Sequence, residues 1–123
     1  MSETPSHLQY TAEHEWIEAG SPATVGITAT AAEALGDIVY LELPEVGAAI
    51  TAGAVIGEVE STKSVSELFS PVTGTVVEVN TAAVDEPSVV NAEPYGAGWL
   101  LKVEVESTGP LLTPEEYAAL AAG

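Results

Sequence analysis

The chain has 123 residues, 46% of them hydrophobic and 17% charged, enough for one cored domain and too few for two large ones. Nineteen Asp and Glu stand against two Lys and no Arg, a formal net charge of −17, which argues against nucleic acid or an anionic membrane as partner, since both need clustered basic side chains. Cysteine is absent, so disulfides, thiolate metal sites and cysteine nucleophiles are excluded, and any redox group must come from a cofactor.

Residues 1–8, with Pro5, read as a flexible tail before a single domain over 9–123. Met1 to Gln9 has neither a basic start nor an apolar run, and no stretch reaches the ~18 apolar residues of a membrane helix. A cytoplasmic protein is expected. Glu15 to Glu18, the turn Ala19-Gly20-Ser21-Pro22 and Thr24 to Ile27 read as a hairpin. Thr30 to Gly36 carries a short helix signal, with Thr30 as N-cap, Glu33 completing a capping box and Gly36 as the left-handed stop. Strands are expected over Ile38–Leu43, Val55–Glu60, Val65–Phe69 and Gly74–Asn80.

Trp99 to Glu106 alternates, with Trp99, Leu101, Val103 and Val105 on one face and Leu100, Lys102, Glu104 and Glu106 on the other. Thr113-Pro114-Glu115-Glu116 opens a helix to about Ala122, with Thr113 as N-cap and Pro114 at the first position. Many short strands and two helices, about 30–35 and 114–122, predict a mainly β sandwich or barrel with helical decorations. Ile50 to Gly57 also resembles Val84 to Asn91 at an offset of 34 residues, so the pattern allows either two copies of a strand–turn–strand unit or the ordinary recurrence of Val, Gly and Pro in β proteins.

Little in the chain suggests self-sufficient catalysis. His7 and His14, seven apart, fit no common metal spacing. No Gly-x-Ser-x-Gly occurs, and Gly96-Ala97-Gly98 lacks the context of a dinucleotide loop. Trp16, Trp99, Tyr40 and Tyr95 read as packing residues. The two lysines differ. Lys102 reads as a strand lysine paired across to an acid. Lys63 sits among Ser61, Thr62 and Ser64 between two strand signals, near a hairpin tip. On local pattern alone it is either a solubilising surface lysine or an exposed nucleophile open to covalent modification.

Glu60-Ser61-Thr62-Lys63-Ser64, followed by Phe69-Ser70-Pro71-Val72-Thr73-Gly74, resembles the hairpin of lipoyl and biotinyl domains. Biotinyl domains flank their lysine with Met, whereas Thr62 and Ser64 stand here, so lipoyl is the nearer match and a biotinyl carrier the weaker alternative. Tyr10 to Trp16, Ala23 to Thr28, Leu35 to Gly47, Val89 to Leu100 and Leu112 to Tyr117 further resemble the glycine cleavage system H proteins, a likeness running from about residue 8 to the C-terminus. Many members have Val and Ala where Thr62 and Ser64 stand.

The resemblance implies a lipoyl/biotinyl-type barrel-sandwich hybrid that acts as a non-catalytic, monomeric carrier. Lipoate would be amide-linked to Lys63 by lipoylating enzymes. The carrier would then visit a pyridoxal-phosphate glycine decarboxylase, a tetrahydrofolate-dependent aminomethyltransferase and a flavin dihydrolipoyl dehydrogenase. An H-like relay of lipoyl groups, or an unmodified binding module, is the other reading. In the family the loaded arm folds into a cleft on its carrier, and matching motifs nominates Glu15 and Glu67, with Glu13 in addition, as acids facing the cationic amine.

Overall fold

Period-two patterning resolves into two antiparallel sheets in the computed structural model, which describes residues 5–122. Strands β1 (Gln9–Tyr10), β2 (Glu15–Glu18), β3 (Ala23–Ile27), β5 (Ala49–Ile50), β8 (Val72–Val79) and β9 (Leu101–Thr108) form the larger sheet, in the order β1-β2-β3-β9-β8-β5. The smaller sheet runs β4-β6-β7, from β4 (Ile38–Glu42), β6 (Val55–Ser61) and β7 (Val65–Phe69). Four helices decorate them: α1 (Ala29–Leu35), α2 (Thr81–Asp85), α3 (Ser88–Ala92) and α4 (Pro114–Ala122).

The inward faces make one core. Val25, Val76, Leu101 and Val103 of the larger sheet share it with Leu41, Val59 and Leu68 of the smaller, and Ala32, Ala83 and Val90 close it from the helices. Burying each Val or Leu contributes about 1.5–3 kcal/mol, so this face-to-face packing is the main force on the fold. Close backbone approach accompanies it. A Cβ at Gly74, beside the bulge between Thr73 and Gly74, would overlap the Glu104 carbonyl oxygen of β9.

A second cluster of Leu8, Tyr10, Trp16 and Tyr117 seats α4. The Tyr10 and Tyr117 rings stack with centroids 4.7 Å apart at 13°. The capping box expected at Thr113 forms reciprocally, Glu116 N–H donating to Thr113 Oγ1 at 3.1 Å and Thr113 N–H to Glu116 Oε1 at 2.9 Å. Of the tail expected over residues 1–8, residues 1–4 lie outside the described residues, while Leu8 is buried in this cluster.

Several expectations shift. The α1 cap is Thr28, not Thr30: its hydroxyl accepts from Ala31 N–H, which puts Ala31 and not Glu33 at the capping-box position. Strand β9 starts at Leu101, and Leu100 is fully buried with its N–H on Val25 O instead of facing solvent. The repeat fails as a structural one. Residues 50–57 form strand–turn–strand, but Val84 to Asn91 lies in α2 and α3, where Asn80 caps α2 through its side chain and Pro87, already helical at φ −58°, leads into α3 against the β preference of Val89 and Val90. Tyr40 is half exposed on β4 and lies outside the buried core.

Candidate functional site

The tip between β6 and β7 is built around one buried hydroxyl. Ser61 Oγ accepts from Lys63 N–H and Ser64 N–H, both at 3.1 Å, and donates to Ser64 O at 3.2 Å, while Ser61 N–H donates to the same carbonyl at 2.8 Å. Small polar residues at 61, 62 and 64 thus make a self-bonded turn and not a loose loop. Thr62 N–H reaches outward to Asp37 O at 3.0 Å, docking the turn on the link between α1 and β4.

Lys63 projects from this turn. It is exposed, and among the described residues no carboxylate lies within 4.0 Å of its Nζ. Its stem lies against Gly36, the α1 C-cap, where a Cβ would come within 3.0 Å of Lys63 Cε. Gly36 also has φ 84° and ψ −154°, a region essentially reserved for glycine. Gly36→Ala should therefore destabilise the protein by about 1–3 kcal/mol and push the lysine stem aside. Thermal melting checks this, and an unchanged midpoint would show that the corner relaxes freely. Lys102, by contrast, is half buried, 4.0 Å from Glu78 and 5.1 Å over the Trp99 ring centroid, the paired strand lysine expected.

One cavity borders the tip and a second lies toward the other end of β7. The first, about 320 Å³, is lined by Glu13, His14, Ala31, Ala34, Leu35 and Ser64 to Ser66. The second, about 250 Å³, is lined by Thr11 to Glu13, Glu15, Gly53, Phe69, Ser70 and Pro71, with Gly109 and Pro110. Glu13 stands on both rims. Its loop is held by Thr11, whose Oγ1 accepts from the N–H groups of Glu13 and Glu15, both at 3.2 Å. His14 takes a left-handed φ of 66° at this bend, and its Nδ1 and Thr28 Oγ1 both lie 2.7 Å from Tyr117 Oη. The bend turns Glu13 out and Glu15 in.

Glu15 is 2% exposed. One oxygen accepts Phe69 N–H at 2.9 Å and the other Thr11 O–H at 3.2 Å. Burial pushes its carboxyl up to about 7, the Phe69 and Thr11 donors pull the other way, and the Glu13 charge adds to the rise. Glu67 is exposed on β7 and lines neither cavity. Its cross-strand partner is Glu58, which pairs in turn with Glu42. Three like charges in one row give the lysine-bearing sheet a negative outer surface.

Glu13 lines both cavities and Glu15 the second, Lys63 stands on the turn whose Ser64 borders the first, and Glu67 lies outside their walls. Sequence reading named these four. It did not see the roles of Ser61, Gly36, His14 or Tyr117 around them. Ser61 carried a signal as a small turn residue and Gly36 as a helix stop, and nothing local said that the missing Cβ of Gly36 also makes room for a lysine 27 positions on.

A sequence model of the glycine cleavage H-protein family matches residues 8–122. The chain is similar to the glycine cleavage system H protein of Beutenbergia cavernae, 60% identical over 97% of each chain. It is 61% identical to that of Thermobifida fusca, over 97% of this chain and 96% of the other. A crystal structure of a glycine cleavage system H protein from Mycobacterium marinum superposes with a TM-score of 0.94 at 52% identity, covering 97% of this chain and 99% of that one. Its likeness extends the mainly β reading to the barrel-sandwich fold.

Proposed function

The chain belongs to the glycine cleavage H-protein family, and from that membership we propose that Lys63 is its point of lipoate attachment. It is a lipoyl carrier of the glycine cleavage system. The observation that supports Lys63 is its setting: an exposed amine with no acid within 4.0 Å among the described residues, on a self-bonded turn at the mouth of a 320 Å³ cavity.

The surroundings fit an acyl arm. Ala31, Ala34 and Leu35 offer an apolar wall beside the turn, and Glu13 and Glu15 offer acids beyond it. When bound, lipoate supplies a dithiolane that can accept an aminomethyl group and be reoxidised. This chain's own part is to hold the base of the arm, shelter what it carries and place carboxyl groups where a cationic amine rests. Glu15, titrating near 7, can hold its proton while the cavity is empty of charge and release it to face a cation. Glu67, which lines neither cavity, is the candidate acid on the exposed face of the lysine-bearing sheet.

The partners in this reading are the pyridoxal-phosphate glycine decarboxylase, the folate-dependent aminomethyltransferase, the flavin dihydrolipoyl dehydrogenase and the lipoylating enzymes. The chain itself catalyses no step, and works as a cytoplasmic monomer. No helix among the described residues is long and apolar enough to cross a membrane. A net charge of −17 favours basic docking faces on these partners, with association slowing as salt rises.

The test is intact mass and peptide mapping of the full chain after incubation with lipoate, ATP and a lipoate ligase. One lipoyl increment on Lys63, retained in Lys102→Ala, is the expected result. An increment elsewhere, or none, overturns the assignment.

A further inference from the structure

We propose that Asn91 is a positioning residue for acylation of Lys63, acting through the Gly36–Ile38 corner; the inference rests on Lys63 being the attachment site. Asn91 lies on α3, 28 positions beyond the lysine, and belongs to none of the elements that form the turn. Its Nδ2 donates to Gly36 O at 2.8 Å and its Oδ1 accepts from Ile38 N–H at 2.9 Å. One side chain therefore grips the backbone on both sides of Asp37. The planar amide supplies a donor and an acceptor that diverge to reach both.

Asp37 O, between those two bonds, is the acceptor for Thr62 N–H at 3.0 Å. Gly36, at the same corner, is the surface on which the Lys63 stem rests. The pairing of Ile38 with Ser61 in the β4–β6 ladder sets the base of the lysine turn, and two further supports act on the turn itself. Ser61 holds its shape from within, and the corner held by Asn91 holds its placement against α1. Ahead of this, Tyr95 Oη accepts from Ala29 N–H at 3.0 Å, so the same stretch of chain grips α1 at its first residue and just past its last. That helix carries Ala31, Ala34 and Leu35, the wall beside Lys63.

Loss of the grip leaves a well-formed turn that is no longer docked in one orientation. An enzyme that reads the docked geometry then meets it for only part of the time. Its KM rises by the inverse of that fraction while kcat stays the same.

The experiment compares the full chain with Asn91→Ala and Asn91→Asp, using lipoate, ATP and a lipoate ligase. Amide hydrogen exchange is followed in parallel, and a small amine-reactive acetyl ester serves as control. For Asn91→Ala, KM for acylation of Lys63 should rise roughly tenfold at unchanged kcat. Protection of the Thr62 amide should fall by a similar factor, while Val25 and Leu101 amides and the ester's rate at Lys63 stay as in the parent. Asn91→Asp keeps the acceptor for Ile38 and loses the donor to Gly36, and should give an intermediate KM.

A parental KM with Thr62 protection lost would overturn the proposal and leave Lys63 as the attachment site. Unchanged Thr62 protection would also overturn it. Loss of core protection in both variants would make Asn91 a residue of the fold alone. Failure of the parent chain to be acylated on Lys63 would instead remove the underlying assignment, and this inference with it.

Discussion

Lys63→Arg should abolish lipoate attachment completely while leaving the melting temperature within about 2 °C of the parent. Attachment needs an unprotonated amine to attack an activated acyl group, and the guanidinium stays protonated at every accessible pH. The fold should not notice the change, because Lys63 is exposed and no carboxylate among the described residues lies within 4.0 Å of it. Nor can the second lysine substitute. Lys102 is half buried in β9, engaged with Glu78 and the Trp99 ring, on a strand and not a turn. Intact mass after treatment with a lipoate ligase should therefore show no increment, and glycine-dependent carbon dioxide exchange with the decarboxylase should fall to background. A residual increment on the variant would mean that the modification is not confined to Lys63.

The reach of sequence reading follows the range of the interactions concerned. The β2–β3 hairpin, β6, β7 and α4 were legible because their determinants lie within a few residues, as with Thr113 and Glu116 closing on one another. Lys63 was legible as a tip residue for the same reason, since Ser61 and Ser64 make its turn locally. Helices α2 and α3 were not, because five residues supply no helical period and Val89 and Val90 favour strands. Asn80 caps α2 while its amide also binds the carbonyls of Ala97 and Trp99, contacts invisible until the chain returns. The α1 cap moved from Thr30 to Thr28 because Tyr117, 89 positions away, fixes the Thr28 hydroxyl. The acids divide likewise. Nothing near Glu67 says that it faces the smaller sheet's outer row, and nothing near Glu15 says that Phe69 N–H waits for it. The hairpin reading of Glu15 to Glu18 said nothing of which side chains the β2 strand buries, Glu15 and Ile17 among them. Both turn out to be buried.

Glu15→Gln should invert its own effect between pH 5 and pH 8. In the unfolded chain the carboxyl ionises near 4.5, whereas in the folded chain burial holds it up to about 7. Below 4.5 both states keep the proton and Glu15 adds no pH dependence. Between 4.5 and 7 the unfolded state releases its proton first, so parental stability falls as pH rises, and above 7 the loss is complete. A rise of this size corresponds to about 3 kcal/mol, with each pH unit in the window contributing about 1.4. Glutamine does not titrate. It does carry a pH-independent penalty, because Phe69 N–H and Thr11 O–H both aim donors at a group that then has one acceptor oxygen. That mismatch costs about 1–2 kcal/mol. The variant should consequently melt below the parent at pH 5 and above it at pH 8, the difference between the two midpoints swinging by roughly 10 °C. An offset that is the same at both pH values would show that the Glu15 carboxyl ionises at its ordinary value. On the proposal that the loaded arm's amine rests beside Glu15, its positive charge favours the ionised carboxyl, so in the aminomethyl-loaded carrier the parental carboxyl should titrate lower and the swing should shrink.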